Sequence, residues 1–225
     1  MPNKNKVMVV AAHPDDEVLG CGATIARHVS EGDEVQCIFM TNGEGAREVS
    51  LQNVSSRINA AIDASKILGC LKPIFFDYPD NMMDTIPLLD ISKSLESLTL
   101  KFEPDLVYTH SSSDLNIDHR KTLEATLVCF RPQPDNKTKQ IFSFDIPSAT
   151  GWAPMLNRTF SPNHFVGCGN FLEKKLLALD CYKKEIPNSP HVRSIKSIKH
   201  RLSYFGSQVG IESAEAFELL RSINR

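Results

Sequence analysis

Three ionisable side chains follow an apolar run near the start of the sequence. Residues 7–12 read VMVVAA, and His13, Pro14, Asp15 and Asp16 come next. A valine-rich run is typical of a buried parallel strand, and Pro14 prevents that strand from continuing, so the polar side chains are expected at its carboxyl end. One imidazole and two carboxylates can supply two metal ligands and leave one carboxylate for proton transfer. A helix-capping aspartate beside a surface histidine is the simpler alternative, but it does not account for all three groups.

A second polar cluster follows a later apolar run. Residues 105–109 read DLVYT and predict a strand, and the next eleven residues read HSSSDLNIDHR. Because parallel strands of one sheet deliver their carboxyl ends to the same edge, we expect the two clusters to meet there. A catalytic zinc site has three protein ligands and one open position for water. His13, Asp16 and one histidine of the second cluster would satisfy that requirement.

The hydrophobic pattern alternates between strands and helices over the first two-thirds of the chain. It predicts an α/β fold with a Rossmann-like, mostly parallel sheet flanked by helices. Predicted strands cover 6–12, 35–40, 73–76 and 105–109, and predicted helices cover 17–30, 53–68, 91–101 and a segment that begins near His119. After residue 138 the pattern changes, and we expect strands and loops over 138–170, followed by helices at 171–184 and 192–205, to cover the carboxyl edge of the sheet. Residues 214–220 fit a helix or a strand equally well.

The composition is that of an ordinary soluble globular protein. The 225 residues are 41% hydrophobic and 23% charged, with a formal net charge of −2, so nothing favours nucleic acid or an anionic membrane as a partner. The length suits a single domain over 1–225. No apolar stretch approaches the roughly 20 residues that a membrane span requires, and no secretory segment precedes the first strand. The six scattered cysteines predict neither a disulfide framework nor a zinc cluster. A cytoplasmic protein is therefore expected, and a homo-oligomer stays open.

Several motifs resemble those of the PIG-L/LmbE-like family of zinc-dependent N-deacetylases. The segment AHPDDE at 12–17 resembles the family's signature, and further resemblances are TNGE at 41–44, Arg57 with LG at 68–69, DH at 118–119, PHVRS at 190–194, Gly206 and AEAF at 214–217. The resemblance covers nearly the whole chain. It implies a Rossmann-like fold, one zinc per chain, and hydrolysis of an acetamido group on an amino sugar or glycoside. It also implies that His13, Asp16 and His119 are the zinc ligands and that Asp15 is the general base.

One position departs from the family pattern. Family members often carry a histidine two residues before the Asp-His pair, where it helps to stabilise the oxyanion, and this chain has Asn116 there. An asparagine amide can donate a hydrogen bond but cannot carry a positive charge. His191, in the tail motif, is a candidate for that charged role, and a histidine on a surface loop is an equally good interpretation of it.

The remaining polar residues near the two clusters receive weaker interpretations. Asp118 is expected to orient a ligand and not to bind the metal itself, because a metal-bound histidine usually donates its other N–H to an acceptor. Asp114 could do the same or could cap the loop through an Asx turn. His110 could support a ligand, bind substrate or be merely structural. Three further side chains could reach the substrate or lie on an ordinary surface: Glu44, Arg47 and Arg57.

The resemblance, together with the two polar clusters, implies a zinc-dependent hydrolase that removes the N-acetyl group of a small N-acetylated sugar. Two alternatives remain: a metal-dependent phosphoesterase acting on a phosphosugar, and a catalytically silent sugar-binding protein. A nicotinamide-dependent dehydrogenase is disfavoured because no Gly-x-Gly-x-x-Gly motif follows the first strand. The sequence does not distinguish which N-acetyl sugar is processed.

Overall fold

A computed structural model of the protein describes residues 4–43, 51–153 and 159–224. It has the expected α/β architecture, with one seven-stranded sheet flanked by helices. The strands are β1 (Lys6–Ala11), β2 (Glu34–Thr41), β3 (Ile74–Tyr78), β4 (Leu106–His110), β5 (Gln140–Phe144), β6 (His164–Gly167) and β7 (Ala214–Ser222). The helices of more than one turn are α1 (Asp16–Glu31), α2 (Leu51–Leu68), α3 (Leu88–Phe102), α4 (Ile117–Cys129), α5 (Leu172–Cys181) and α6 (Ile195–Gln208).

The strand order places a crevice at the carboxyl ends of β1 and β4. The order across the sheet is β3-β2-β1-β4-β5-β7-β6, and the first five strands are parallel. The chain winds outward from β1 to β3 and then returns to the other side of β1 to form β4. Open parallel sheets bind ligands at such a reversal of the winding direction, outside the carboxyl ends of the strands.

The central strand β1 is buried on both faces, which explains its nearly uninterrupted apolar sequence. Val7, Val9 and Ala11 contribute to the larger core cluster, on the side of α1 and α5. Met8 and Val10 contribute to a second cluster on the opposite face, with residues of α3 and α4. A strand fixed on both sides holds the turn that follows it in a defined position.

The last third of the chain partly extends the sheet instead of covering its edge. The expected cover included 140–144, but these residues form β5, which pairs in parallel with β4 from Leu106↔Gln140 to His110↔Phe144. Residues 214–220, which fitted a helix or a strand, belong to β7, antiparallel to both β5 and β6. The loop after β5 and the segment before α6 supply side chains above the carboxyl edge. Among the described residues, no helix is long and apolar enough to cross a bilayer.

Candidate active site

The turn after β1 holds its polar side chains in a constrained backbone. Asp15 has φ = 116°, in the left-handed region that non-glycine residues rarely adopt. Its amide N–H donates to Glu17 Oε2 at 3.0 Å, and Tyr182 O–H donates to Glu17 Oε1 at 2.6 Å. The amide of His13 donates to Asp16 Oδ2 at 2.9 Å. Backbone strain of this kind persists where the surroundings impose it, and it is common at functional sites.

Three potential metal ligands converge from this turn and from the start of α4. His13 Nδ1, Asp16 Oδ2 and His119 Nε2 are each 3.2 Å from the other two. Ligand atoms about 2.0–2.2 Å from a tetrahedral zinc lie about 3.3–3.6 Å from one another, so the triangle is close to one face of a zinc tetrahedron. All three residues are buried, and Asp16 Oδ1 has no hydrogen-bond partner among the described residues. The donor set therefore fits a divalent metal ion such as zinc.

In each histidine of the triangle, the ring nitrogen that is not part of the triangle contacts a carboxylate. His13 Nε2 lies 3.1 Å from both Asp118 Oδ2 and Asp80 Oδ1. His119 Nδ1 lies 2.8 Å from Asp114 Oδ2. Such pairing fixes which nitrogen carries the proton and leaves the other nitrogen free to bind metal. Asp118 therefore lies against His13, whereas Asp114 lies against the histidine of its own segment.

Protons compete with a metal for the nitrogen atoms of the triangle. Burial lowers the pKa of His119, but the nearby carboxylates of Asp16 and Asp114 outweigh it and raise that pKa to about 9. Burial likewise lowers the pKa of His13, and hydrogen bonds to Asp118, Asp16 and Asp80 raise it well above its usual value. A metal bound at this site must displace these protons, so its affinity is expected to increase with pH.

Asn116 is the N-cap of the helix that carries His119. Its Oδ1 accepts hydrogen bonds from the backbone amides of Asp118 at 2.8 Å and His119 at 3.4 Å. The backbone amide of Asn116 donates to Asp114 Oδ1 at 2.8 Å. Its Nδ2 donates to Asn81 Oδ1 at 3.0 Å. The position that departs from the family pattern thus anchors the start of α4, and the proposed oxyanion contact stays a prediction.

Two arginines flank the carboxylate of Asp15. Arg193 Nη1 lies 3.1 Å and Arg57 Nη2 lies 3.5 Å from Asp15 Oδ2. Arg57 also donates to the backbone oxygens of Pro14 and Gly43, and Arg193 donates to Ser148 Oγ. Burial raises the pKa of Asp15, and the two guanidinium groups oppose that rise. The arginines therefore fix the orientation of Asp15 and favour its charged form.

His110 packs beneath the triangle. Its ring stacks on His119 with centroids 3.9 Å apart, and its Nε2 accepts a hydrogen bond from the amide of Ala12 at 2.8 Å. Burial lowers its pKa well below the usual value, so the imidazole is neutral. Its Nε2 also lies 3.6 Å from Asp16 Oδ2, so these contacts fit a residue that supports the proposed ligands as well as a structural one, and the interpretations stay predictions.

A cavity of about 330 Å³ opens above these groups. It is large enough for a monosaccharide unit, and most of its wall is polar. The lining residues are His13, Asp15, Asp16, Gly43, Arg57, Asp80, Asn81, Leu115, Asn116, His119, Ser148, Ala149, Glu185 and Arg193.

His191 lies two residues from the arginine that reaches the cavity. Its Nδ1 accepts a hydrogen bond from the amide of Arg193 at 3.1 Å, and its ring meets the edge of Trp152 with centroids 5.4 Å apart. Among the described residues, those that line the cavity do not include His191. Glu44 and Arg47 lie outside the described residues.

Sequence reasoning missed several residues of this site. Asp80 follows β3 at the same edge as the other polar clusters, and its place after a strand and a proline is a signal that could have identified it. Arg193 lies in a tail motif that the resemblance included, but only His191 of that motif was given a role. Asn81, Ser148 and Glu185 carry no such signal.

Comparison with known proteins places this site in a family. Residues 8–130 match the family model described as PIG-L, GlcNAc-PI de-N-acetylase. The Escherichia coli K12 protein named uncharacterized deacetylase YaiS is 30% identical over 164 residues, covering 70% of this chain and 82% of that protein. Diacetylchitobiose deacetylase of Thermococcus kodakarensis is 25% identical over 234 residues, covering 97% of this chain and 84% of that protein.

A solved structure shows the same fold. N,N'-diacetylchitobiose deacetylase from Pyrococcus horikoshii, in complex with its inhibitor MPG, superposes with a TM-score of 0.77 over 97% of this chain and 84% of that one. The sequence identity is 22%, so this likeness establishes the fold and not the reaction.

Proposed function

We propose that this chain, which belongs to the PIG-L (LmbE-like) family, is a zinc-dependent hydrolase that removes the N-acetyl group from an N-acetylated amino sugar or glycoside. The observation that carries the proposal is the 3.2 Å triangle of His13, Asp16 and His119 at the floor of a polar cavity. The names of the family model and of the Thermococcus relative support an N-acetylated amino sugar as the substrate class.

One zinc ion per chain would be held by His13 Nδ1, Asp16 Oδ2 and His119 Nε2. When bound, zinc lowers the pKa of water and polarises a carbonyl, which are the two things that amide hydrolysis at neutral pH requires. Asp118 and Asp80 on one side, and Asp114 on the other, hold the two histidines in the orientation that binding needs.

Asp15 is the proposed general base. Asp15 lines the cavity beside the triangle, and Arg57 and Arg193 oppose the burial that raises its pKa, so they favour the charged form that can accept a proton from the attacking water. The same carboxyl group can then deliver that proton to the leaving amine, since a base in the first step becomes an acid in the second.

The oxyanion that forms from the acetyl carbonyl needs a hydrogen-bond donor. Asn116 is proposed for this role because it lines the cavity and its side-chain amide has two N–H groups, of which one is donated to Asn81. His191 is proposed as the acid or electrostatic partner, which requires its side chain to approach the substrate from the segment that already delivers Arg193.

The direct test is release of acetate and of free amine from a panel of N-acetylated sugars. The panel would include N-acetylglucosamine, diacetylchitobiose and an N-acetylglucosaminyl inositol, each assayed with added zinc and again after chelation. Deacetylation that is lost on chelation and restored by zinc supports the proposal. Asp15→Asn should retain zinc and lose activity, because the amide keeps the shape of the side chain but cannot accept the proton.

The rival functions give different results in the same experiment. Phosphate release from phosphosugars without acetate release would indicate the phosphoesterase. Saturable sugar binding without either product, in the presence of bound zinc, would indicate a silent binding protein. Near-parental deacetylation by a zinc-loaded Asp15→Asn variant would refute the assignment of the base.

A further inference from the structure

Helix α1, which provides Asp16, is broken after its first turn. Cys21 has φ = −144° and ψ = 25°, so the helical backbone is interrupted there. A helix break leaves N–H groups on one side and carbonyl oxygens on the other without their usual partners within the helix. Such buried backbone groups must find other partners or destabilise the fold.

A buried ion pair supplies partners on both sides of the break. Lys175 Nζ donates to the backbone oxygen of Leu19 at 2.8 Å. Glu215 accepts from the amide of Ala23 at 3.0 Å through Oε1 and from the amide of Thr24 at 2.7 Å through Oε2. The two charged groups lie 2.6 Å apart. The pair therefore caps the end of the first turn and the start of the remaining helix.

The position of this pair is unusual for charged side chains. Lys175 is fully buried and Glu215 is 2% exposed. Glu215 lies on the face of β7 that also presents Phe217 and Leu219 to the larger core cluster. Because a buried ion pair is often no more stabilising than a well-packed apolar pair, stability alone does not account for it.

The pair also connects distant parts of the chain to the proposed metal ligand. Lys175 belongs to α5 and Glu215 to β7, and both lie outside the 8–130 segment that matches the family model. The first turn that they anchor begins with Asp16. The amide of Leu19 donates to the backbone oxygen of Asp15 at 2.9 Å, so Leu19 is bonded to Asp15 on one side and to Lys175 on the other.

We propose that Lys175 and Glu215 are positioning residues of the metal site, which hold the first turn of α1 so that Asp16 completes the triangle with the two histidines. The proposal rests on the proposed zinc site. It assigns a role to the AEAF segment at 214–217, which the deacetylation chemistry leaves without one.

The test compares Zn²⁺ affinity with thermal stability in matched variants. Glu215→Gln keeps the side-chain shape but loses one acceptor oxygen and the charge. Lys175→Met removes the contact with Leu19. Leu95→Ala is the control, because it opens a cavity in the core cluster on the opposite face of the sheet and lowers the melting temperature without contacting α1. Zn²⁺ affinity is measured by competition with a chromophoric chelator, at a temperature where circular dichroism shows every variant folded.

We expect Glu215→Gln and Lys175→Met to bind Zn²⁺ about tenfold or more weakly than the parent, which is the size of effect seen when groups that support metal ligands are removed. Leu95→Ala should keep its affinity within about twofold, the precision expected of the competition measurement, although it is destabilised. The double variant Lys175→Met/Glu215→Gln should recover melting temperature relative to Glu215→Gln, because no unpaired charge is buried, but should not recover Zn²⁺ affinity.

Parental Zn²⁺ affinity in folded Glu215→Gln or Lys175→Met would overturn the inference and leave the proposed function intact. Recovery of affinity together with stability in the double variant would also overturn it, because the pair would then act only through stability. If Glu215→Gln does not fold, Lys175→Met and the double variant decide the question. Absence of Zn²⁺ binding by the parent would overturn the proposed function and this inference together.

Discussion

Asn116 has two structural features that substitutions can separate. Its side-chain oxygen caps α4, and its side-chain amide nitrogen is the proposed donor to the oxyanion in a cavity that Asn116 lines. Asn116→Ala removes both features, whereas Asn116→Ser keeps an oxygen that can cap the helix and removes the amide donor. Serine and asparagine are similarly effective N-caps.

The expected magnitudes differ for stability and for rate. Loss of the cap in Asn116→Ala should cost about 1 kcal/mol of the free energy of unfolding. For a chain of this size that corresponds to a melting temperature lower by about 2–4 °C. Asn116→Ser should stay within a few tenths of a kcal/mol of the parent, by the similarity of the two caps. Both variants should lose on the order of 10²-fold in kcat if the amide donates to the oxyanion.

The assay is the initial rate of amine release at saturating substrate, with bound zinc and the melting temperature determined on the same samples. Parental kcat in zinc-loaded Asn116→Ser, together with a slow Asn116→Ala, would refute the oxyanion role. The loss in the alanine variant would then come from a displaced start of α4. Loss of zinc by either variant would show that the cap positions His119 and would equally contradict a purely electrostatic role.

Four further predictions follow from the geometry. Zinc at about 100 times its Kd should raise the free energy of unfolding by about 3 kcal/mol, and hence the melting temperature by about 5–10 °C, with reversal by chelation. Asp80→Asn should weaken Zn²⁺ binding by about tenfold in the chelator competition, because His13 loses a carboxylate partner; an unchanged Kd would contradict that role. Gly20→Ala should cost about 1–3 kcal/mol in urea unfolding, since a Cβ there would lie 2.3 Å from the Phe144 ring; parental stability would show that the ring moves freely. In the metal-free protein, burial raises the pKa of Glu17 from 4.5 to about 8. Between these pH values the folded state keeps a proton that the unfolded chain releases, so the free energy of unfolding falls as the pH rises. Urea titrations at several pH values should show this decrease in the parent and its loss in Glu17→Gln.

The sequence was sufficient to predict the first four parallel strands and the meeting of the two polar clusters, but not the fifth parallel strand β5. Residues 7–12 have the valine-rich pattern typical of a strand buried on both faces, and a proline and charged residues follow it directly. Once β1 and the segment ending at Thr109 are neighbouring parallel strands, their carboxyl ends must coincide. His13 and His119, which are 106 positions apart in the sequence, therefore lie at the same edge of the sheet because they follow two neighbouring parallel strands.

The details of the site depend on loops whose paths no periodic pattern encodes. Asp118 was expected beside a ligand, but only the tertiary structure shows that it faces His13 and not the adjacent His119. The loop after β3 brings Asp80 to the same histidine, and nothing local to that loop requires this. The direction of the Asn116 side chain is set by the helix that starts next to it, and this determined its capping contacts.

The residues that line the cavity come from two regions of the sequence, one inside and one outside the segment that matches the family model. The three proposed ligands and the carboxylates that orient them all lie within 8–130, the segment that matches the family model. Ser148, Glu185 and Arg193 reach the cavity from the remainder of the chain. Because both regions line the same cavity, the proposed substrate would contact both, and chains that share only the first segment could share the proposed metal site and differ in the sugar they accept. Arg193 connects the two regions directly, since its guanidinium contacts both Ser148 and the proposed base Asp15. A change in the later region is therefore expected to affect the proposed base as well as the walls of the cavity.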